Sequence, residues 1–228
     1  MYNNYVIVHP IFMLIIKETS MLVSVAGLIG AGKSTLVSNL SSNNNYFTFM
    51  EPVDVNPFLV PYYNDPSRWS FTLQIYYLWE RYKQSSEAFL HSLRGETVII
   101  DSTIYSDMAF AMLQKKYGYF NEDEFNTYAN MHHIIAAQTA YPDILFWLEI
   151  SPNDTLERIK KRSRDCEASI PIEYLSDLYN SYSEVLLNLE KHTDIIRIDA
   201  RKSAENVYLE VNSIIKDRLC SQSVFKYV

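Results

Sequence analysis

A chain of 228 residues with 48% apolar and 21% charged side chains has enough material for one α/β domain with a full core, and this composition speaks against disorder over most of its length. Its formal net charge of −7 argues against wrapping polymeric DNA or RNA, which needs surplus Lys and Arg to neutralise phosphates. The two cysteines, Cys166 and Cys220, form no CxxC pair and no Cys/His cluster, which speaks against a zinc site or disulfide scaffold and fits a reducing cytoplasm.

The stretch Val6 to Ile16 is apolar, but His9 and Pro10 interrupt it, no basic region leads it, and it is too short to span a bilayer. Residues 1–20 therefore read as a leading extension with no membrane role: a loose arm first, with an upstream start or an extra contact element as the alternatives. Residues 21–228 read as a single domain.

Met21 to Ala26 is a short apolar run, and Ser34 to Leu40 has helical spacing, which predicts strand, turn, helix. The turn between them, Gly27-Leu28-Ile29-Gly30-Ala31-Gly32-Lys33-Ser34, satisfies the GxxxxGK[ST] pattern. Glycines let backbone amides curl inward around phosphates, and the following helix presents its positive end. Lys33 reaches the β and γ oxygens, and Ser34 ligates Mg²⁺. This P-loop predicts binding of a nucleoside triphosphate but leaves the acceptor open between water, a protein and a metabolite.

Tyr46 to Met50 is a further strand candidate. Glu51 at its end, before Pro52, could take a proton from an attacking hydroxyl, or be a solvated loop residue. Pro52 to Pro66 reads as the longest loop, bordering a crevice at the carboxyl ends of strands. The helix from Trp69 to Leu93 aligns Gln74, Leu78 and Arg81 on one face. A Gln amide can pair with the edge of a base there, and an Arg can hold a carbonyl or carboxylate. Tyr76, Tyr77, Trp79 and Tyr82 read individually as core. Thr97 to Ile100 predicts a buried strand closed by Asp101, placed to reach Mg²⁺ or its water shell, with Tyr105 and Asp107 shortly after.

Further along, Glu122 to Ala140 predicts a helix, Asp143 to Ile150 a strand, Pro152 to Arg162 a helix, Pro171 to Lys191 a helix, Ile195 to Ile198 a strand, and Ser203 to Leu219 a helix. Arg158, Lys161, Arg162 and Arg164 cluster ahead of Glu167 and the helix-starting Ile170-Pro171, a pattern expected of a short lid that neutralises phosphate charge. The expected fold class is α/β, a P-loop NTPase-type parallel sheet covered by helices on both faces, with an Arg-rich lid.

Taken together, Gly27 to Thr35, Glu51-Pro52-Val53, Arg68 through Arg81, Asp101 to Ala111 and Arg158 to Leu175 resemble the deoxynucleoside kinase family over about Leu22 to Leu219, most closely its bacterial-type deoxyadenosine/deoxycytidine members. The resemblance implies ATP-dependent phosphorylation of the 5′-hydroxyl of a deoxynucleoside in nucleotide salvage, with deoxyadenosine, deoxycytidine or deoxyguanosine favoured over thymidine. It implies Glu51 as general base, Gln74 at the base edge, Arg81 and Asp107 bordering the base, Tyr63 and Glu167 on the sugar 3′-hydroxyl, and Phe110 stacking on the base.

On the donor side it implies Gly27, Gly30, Gly32, Lys33, Ser34 and Thr35 around the phosphates, Ser34 and Asp101 on Mg²⁺, and Arg158, Arg162 and Arg164 in the lid. Asp199-Ala200-Arg201 resembles the loop that cradles the donor adenine. A homodimer of packed helices is also implied. One departure stands out: Asp101-Ser102-Thr103 has Ser102 where the family carries an Arg. A nucleoside monophosphate kinase of thymidylate kinase type and a non-catalytic nucleotide-binding subunit are the alternatives.

Overall fold

The computed structural model describes residues 20–53, 55–162, 167 and 170–224. The expectations for Arg164, for Cys166 and for residues 1–19 of the leading extension lie outside these residues. Ser20 lies inside them: it is buried and donates to the Ser92 carbonyl at 2.8 Å.

In chain order the elements are β1 (Leu22–Gly27), α1 (Lys33–Asn43), β2 (Phe47–Phe49), α2 (Leu59–Asn64), α3 (Pro66–Leu93), β3 (Val98–Asp101), α4 (Ile104–Lys116), α5 (Glu122–Ala136), β4 (Ile144–Glu149), α6 (Pro152–Arg162), α7 (Ile172–Leu189), β5 (Asp194–Asp199) and α8 (Ala204–Val224). The strands form one sheet in the order β2-β3-β1-β4-β5, and every pairing is parallel. β1 lies at the centre with all six residues buried, which explains a near-continuous apolar strand with no polar alternation. Helices flank the sheet: α1 packs against α8, while α3, α4, α5 and α7 pack among themselves over β1 and β3.

Local chemistry sets the helix starts. Asp65 accepts from the Arg68 amide at 3.2 Å ahead of Pro66 at the first turn of α3. Capping boxes open α4, with Thr103 and Ser106, and α5, with Asn121 and Glu124.

Two expectations need correction, and one helix carries no expectation from the sequence. The Pro52 to Pro66 stretch is not all loop, because Leu59–Asn64 forms α2. The residues after Asp101 form the thirteen-residue helix α4, which lacks a distinct polar face because it is buried on most sides. α5 ends at Ala136, short of Ala140, where the Tyr105 hydroxyl, 3.2 Å from the Ala136 carbonyl and 2.9 Å from the Thr139 carbonyl, secures the turn. Among the described residues, no helix is long and apolar enough to cross a membrane.

Candidate active site

The parallel sheet brings the glycine-rich turn after β1, Glu51 after β2 and Asp101 at the tip of β3 to one edge, the carboxyl end of the strands. Gly30 and Gly32 adopt φ of +83° and +105°, a left-handed backbone that favours glycine. A Cβ on Gly30 would lie 3.0 Å from Ile159 on α6, so the turn is held tightly as well as curled. Lys33 Nζ donates to the carbonyls of Gly27 at 3.0 Å and Leu28 at 3.1 Å, which keeps the ammonium over the turn. Ser34 Oγ donates to Asp101 Oδ2 at 2.6 Å. Burial pushes the Asp101 carboxyl above its ordinary range, and the nearby Lys33 charge opposes that shift. Ser34 and Asp101 offer hard oxygen donors, a set that suits Mg²⁺ shared with phosphates better than a metal caged by protein alone. No group of three or more His, Cys, Asp or Glu among the described residues could cage one.

A cavity of about 440 Å³ opens beside this edge. Lys33, Ser34 and Thr35 line it together with Glu51, Tyr63, Gln74, Arg81, Phe110, Arg162 and Glu167, so most of the acceptor-side residues expected from the sequence share one space. Asp107 is the exception. It is fully buried behind Arg81, whose guanidinium ion-pairs with both Asp107 and Glu51. Tyr128 donates to the other Asp107 oxygen at 2.7 Å, which completes a buried line from Tyr128 to Glu51. Gln74 is 3% exposed, and its Nε2 has no hydrogen-bond partner among the described residues, a donor poised at a cavity wall. Arg162 ion-pairs with Glu167.

A second cavity of about 320 Å³ shares Gly30, Lys33, Ser34, Thr35 and Arg162 with the first and adds Gly32, Arg158, Ala200 and Lys202. Arg158 donates to the carbonyls of Ala31 at 3.1 Å and Ala200 at 2.5 Å, tying α6 to the turn and to the loop after β5. The side chains of Asp199 and Arg201 are not in this space: they pair with each other at 2.9 Å and line a separate hollow with Glu149 and Tyr179. Arg201 accordingly holds the Asp199 carboxyl down to about 2.

Sequence reasoning missed Tyr62, Tyr77, Gln114 and Tyr174, which also line the first cavity. Gln114 was reachable, since it follows Asp107 by seven residues and Phe110 by four on one helical face. Trp79 and Tyr82 are not core: they are exposed.

The family model described as deoxynucleoside kinase matches residues 23–220. A deoxyadenosine kinase of Dictyostelium discoideum is 37% identical over 177 residues, which cover 78% of this chain and 71% of that protein. The deoxyadenosine/deoxycytidine kinase of Bacillus subtilis is 30% identical over 206 residues, covering 86% of this chain and 94% of its own. Among solved structures, deoxyadenosine kinase from M. mycoides with the products dCMP and a flexible dCDP superimposes with a TM-score of 0.78 at 28% identity, over 86% of this chain and 98% of that one. Fold, sequence match and the coverage of both partners agree, and the chain belongs to the deoxynucleoside kinase family, a family of phosphotransferase enzymes.

Proposed function

We propose that the chain transfers the γ-phosphoryl group of ATP to the 5′-hydroxyl of a deoxynucleoside in nucleotide salvage, with deoxyadenosine, deoxycytidine and deoxyguanosine preferred to thymidine. The observation that carries this reading is one cavity holding Lys33 and Ser34 of the phosphate-binding turn, the Glu51 carboxylate, and the unpartnered Gln74 amide. Phosphate grip, proton acceptor and base reader meet in a volume suited to a nucleoside.

In this reading Glu51 accepts the proton of the 5′-hydroxyl, and Arg81 orients it. Gln74 pairs with the base edge, Phe110 stacks on the base, and Tyr63 and Glu167 hold the 3′-hydroxyl. Arg81, held from behind by the buried Asp107, borders the base and occupies room that a 5-methyl group would need. Lys33 and the amides of Gly27 to Thr35 hold the donor phosphates, with Arg158, Arg162 and Arg164 as an Arg-rich lid that excludes water. Ser34 and Asp101 would hold Mg²⁺, which supplies charge neutralisation at the transferring group. The loop Asp199-Ala200-Arg201 takes the adenine through Ala200 and its backbone, in keeping with the outward Asp199–Arg201 pair. The protein acts as one domain over 21–228, in the cytoplasm, as a homodimer of packed helices.

An ATP-consumption assay over the four deoxynucleosides and their monophosphates tests this. Turnover is expected with deoxyadenosine, deoxycytidine or deoxyguanosine, and Glu51→Gln is expected to lower kcat by about 10²–10⁴. Turnover on monophosphates alone, or ATP binding without turnover on any acceptor, rejects the reading.

A further inference from the structure

Asp107 is fully buried on α4 and lines neither cavity. A buried carboxylate needs hydrogen bonds on both of its oxygens, and each oxygen of Asp107 has one partner among the described residues. Oδ1 ion-pairs with Arg81 Nη1, and Oδ2 accepts from the Tyr128 hydroxyl at 2.7 Å. Chemistry fixes the direction of the second bond, because a carboxylate paired with a guanidinium can only accept. Burial also holds the Tyr128 phenol above its ordinary range, so it keeps the hydrogen that it donates.

Tyr128 lies in the middle of α5, fully buried, and lines neither cavity. Its ring packs on Phe120 and His132, with centroids 6.0 Å and 6.1 Å away. One turn further along α5, His132 Nε2 is 2.8 Å from the Ile104 carbonyl, three residues before Asp107, so the helix that carries the hydroxyl is also tied to the helix that carries its acceptor. What this placement controls is the Arg81 side chain. Arg81 Nη2 reaches Glu51 Oε1 at 2.5 Å, and its Nε is buried with no partner among the described residues. A guanidinium and a carboxylate left to themselves close a two-bond fork in one plane. Because Tyr128 occupies Oδ2, Asp107 holds Arg81 through one N–H, and the fork stays open. Without the hydroxyl, Oδ2 draws its hydrogen from Arg81, and closing that fork turns the guanidinium toward Asp107 and off Glu51.

We propose that Tyr128 is a positioning residue for phosphoryl transfer: by occupying Asp107 Oδ2 it keeps the Asp107–Arg81 pair to a single contact, and so keeps Arg81 on the Glu51 carboxylate. This rests on the reading above in which Glu51 takes the proton of the acceptor hydroxyl. Tyr128 acts only through Asp107 and Arg81, from outside the cavity.

The test is a double-mutant cycle on the full-length protein, read as steady-state turnover of the best deoxynucleoside, with circular dichroism to verify each fold. Tyr128→Phe keeps the ring and removes the hydroxyl; it is expected to lower kcat by about 10–100-fold, as for a catalytic group displaced from a distance. KM for ATP is expected to stay within about twofold, because the phosphate-binding turn belongs to β1 and α1. In the Glu51→Gln background the same substitution is expected to change kcat by less than about twofold, since the group it positions is already gone. A purely structural role would instead cost the same factor in both backgrounds, and that result overturns the proposal. So does an unchanged kcat in Tyr128→Phe; either leaves the nucleoside kinase reading standing. Where Tyr128→Phe does not fold, Asp107→Asn is compared with Asp107→Asn/Tyr128→Phe. An amide has one oxygen and cannot take the fork, so equal kcat is expected, and a further loss overturns the proposal. Absence of phosphorylation of every deoxynucleoside by the unmodified protein overturns both.

Discussion

At Ser102 the backbone turns from β3 into α4 with φ of +69°, the only positive value outside glycine among the described residues. A left-handed backbone costs a side-chain-bearing residue about 1–2 kcal/mol, and here the Ser102 amide is fixed by the Val25 carbonyl at 3.0 Å. The side chain is 3% exposed and lines the acceptor cavity at the position where the family pattern has an Arg. In the proposed mechanism Arg81 takes up part of that task, since its guanidinium ion-pairs with both Glu51 and Asp107. In that mechanism this one guanidinium serves both the proton acceptor Glu51 and the base. A second one, from Ser102→Arg, is expected to raise kcat about tenfold or more by stabilising charge near the acceptor oxygen. The measurement is steady-state turnover on the best deoxynucleoside, with circular dichroism to verify the fold. A fall in kcat with the fold intact shows that the site is arranged around Arg81 and has no room for another cation.

Among the elements, α5 is attached to α4 through a buried imidazole. His132 Nε2 is 2.8 Å from the Ile104 carbonyl at the start of α4, so the neutral ring donates there. Burial lowers the His132 pKa below 6.5, the bond to Ile104 opposes that shift, and the Arg81 and His133 charges add to the lowering. A folded pKa below the unfolded one means that the unfolded chain binds the proton first, so stability is lost as pH falls through and below about 6.5. Thermal unfolding followed from about pH 7.5 to about pH 5.5 is expected to show a falling Tm. His132→Gln, which keeps an N–H donor and does not titrate, is expected to reduce that fall; an unchanged slope would remove His132 as its cause. The same pair of helices shows what was legible beforehand. β1, the phosphate-binding turn and α3 were readable because an apolar strand, a glycine pattern and a one-sided polar face each leave a periodic mark. α4 left none, since Met108-Ala109-Phe110-Ala111 is apolar on several sides at once. α2 was hidden behind prolines that its first turn tolerates. The directions of Asp199 and Arg201 were unreadable for another reason, because spacing sets orientation in a helix or strand but not in the loop that follows one.

For the molecule as a whole, α3 has two working faces. Gln74, Leu78 and Arg81 point inward, while Trp79 and Leu90, eleven residues apart and so on nearly the same bearing, are 54% and 53% exposed, with Tyr82 and Phe89 beside them. α5 packs against α3 and adds Met131 and Ile134, the latter 60% exposed. An outward stripe of large apolar side chains on two adjoining helices is costly to leave in water, and it is the surface expected to pair with its copy in the proposed homodimer. Pairing there would also brace the helix that carries Gln74 and Arg81. Sedimentation is expected to give a particle of twice the 26.6 kDa chain mass. Trp79→Glu is expected to cost the association about 2 kcal/mol or more, as for a central aromatic anchor, and to yield single chains at micromolar concentration. The substitution should leave the fold unharmed, because Trp79 belongs to neither the core nor the cavity lining. A protein that sediments as a single chain without the substitution, or a Trp79→Glu variant that still sediments at twice the chain mass, would show that this stripe does not hold two copies together.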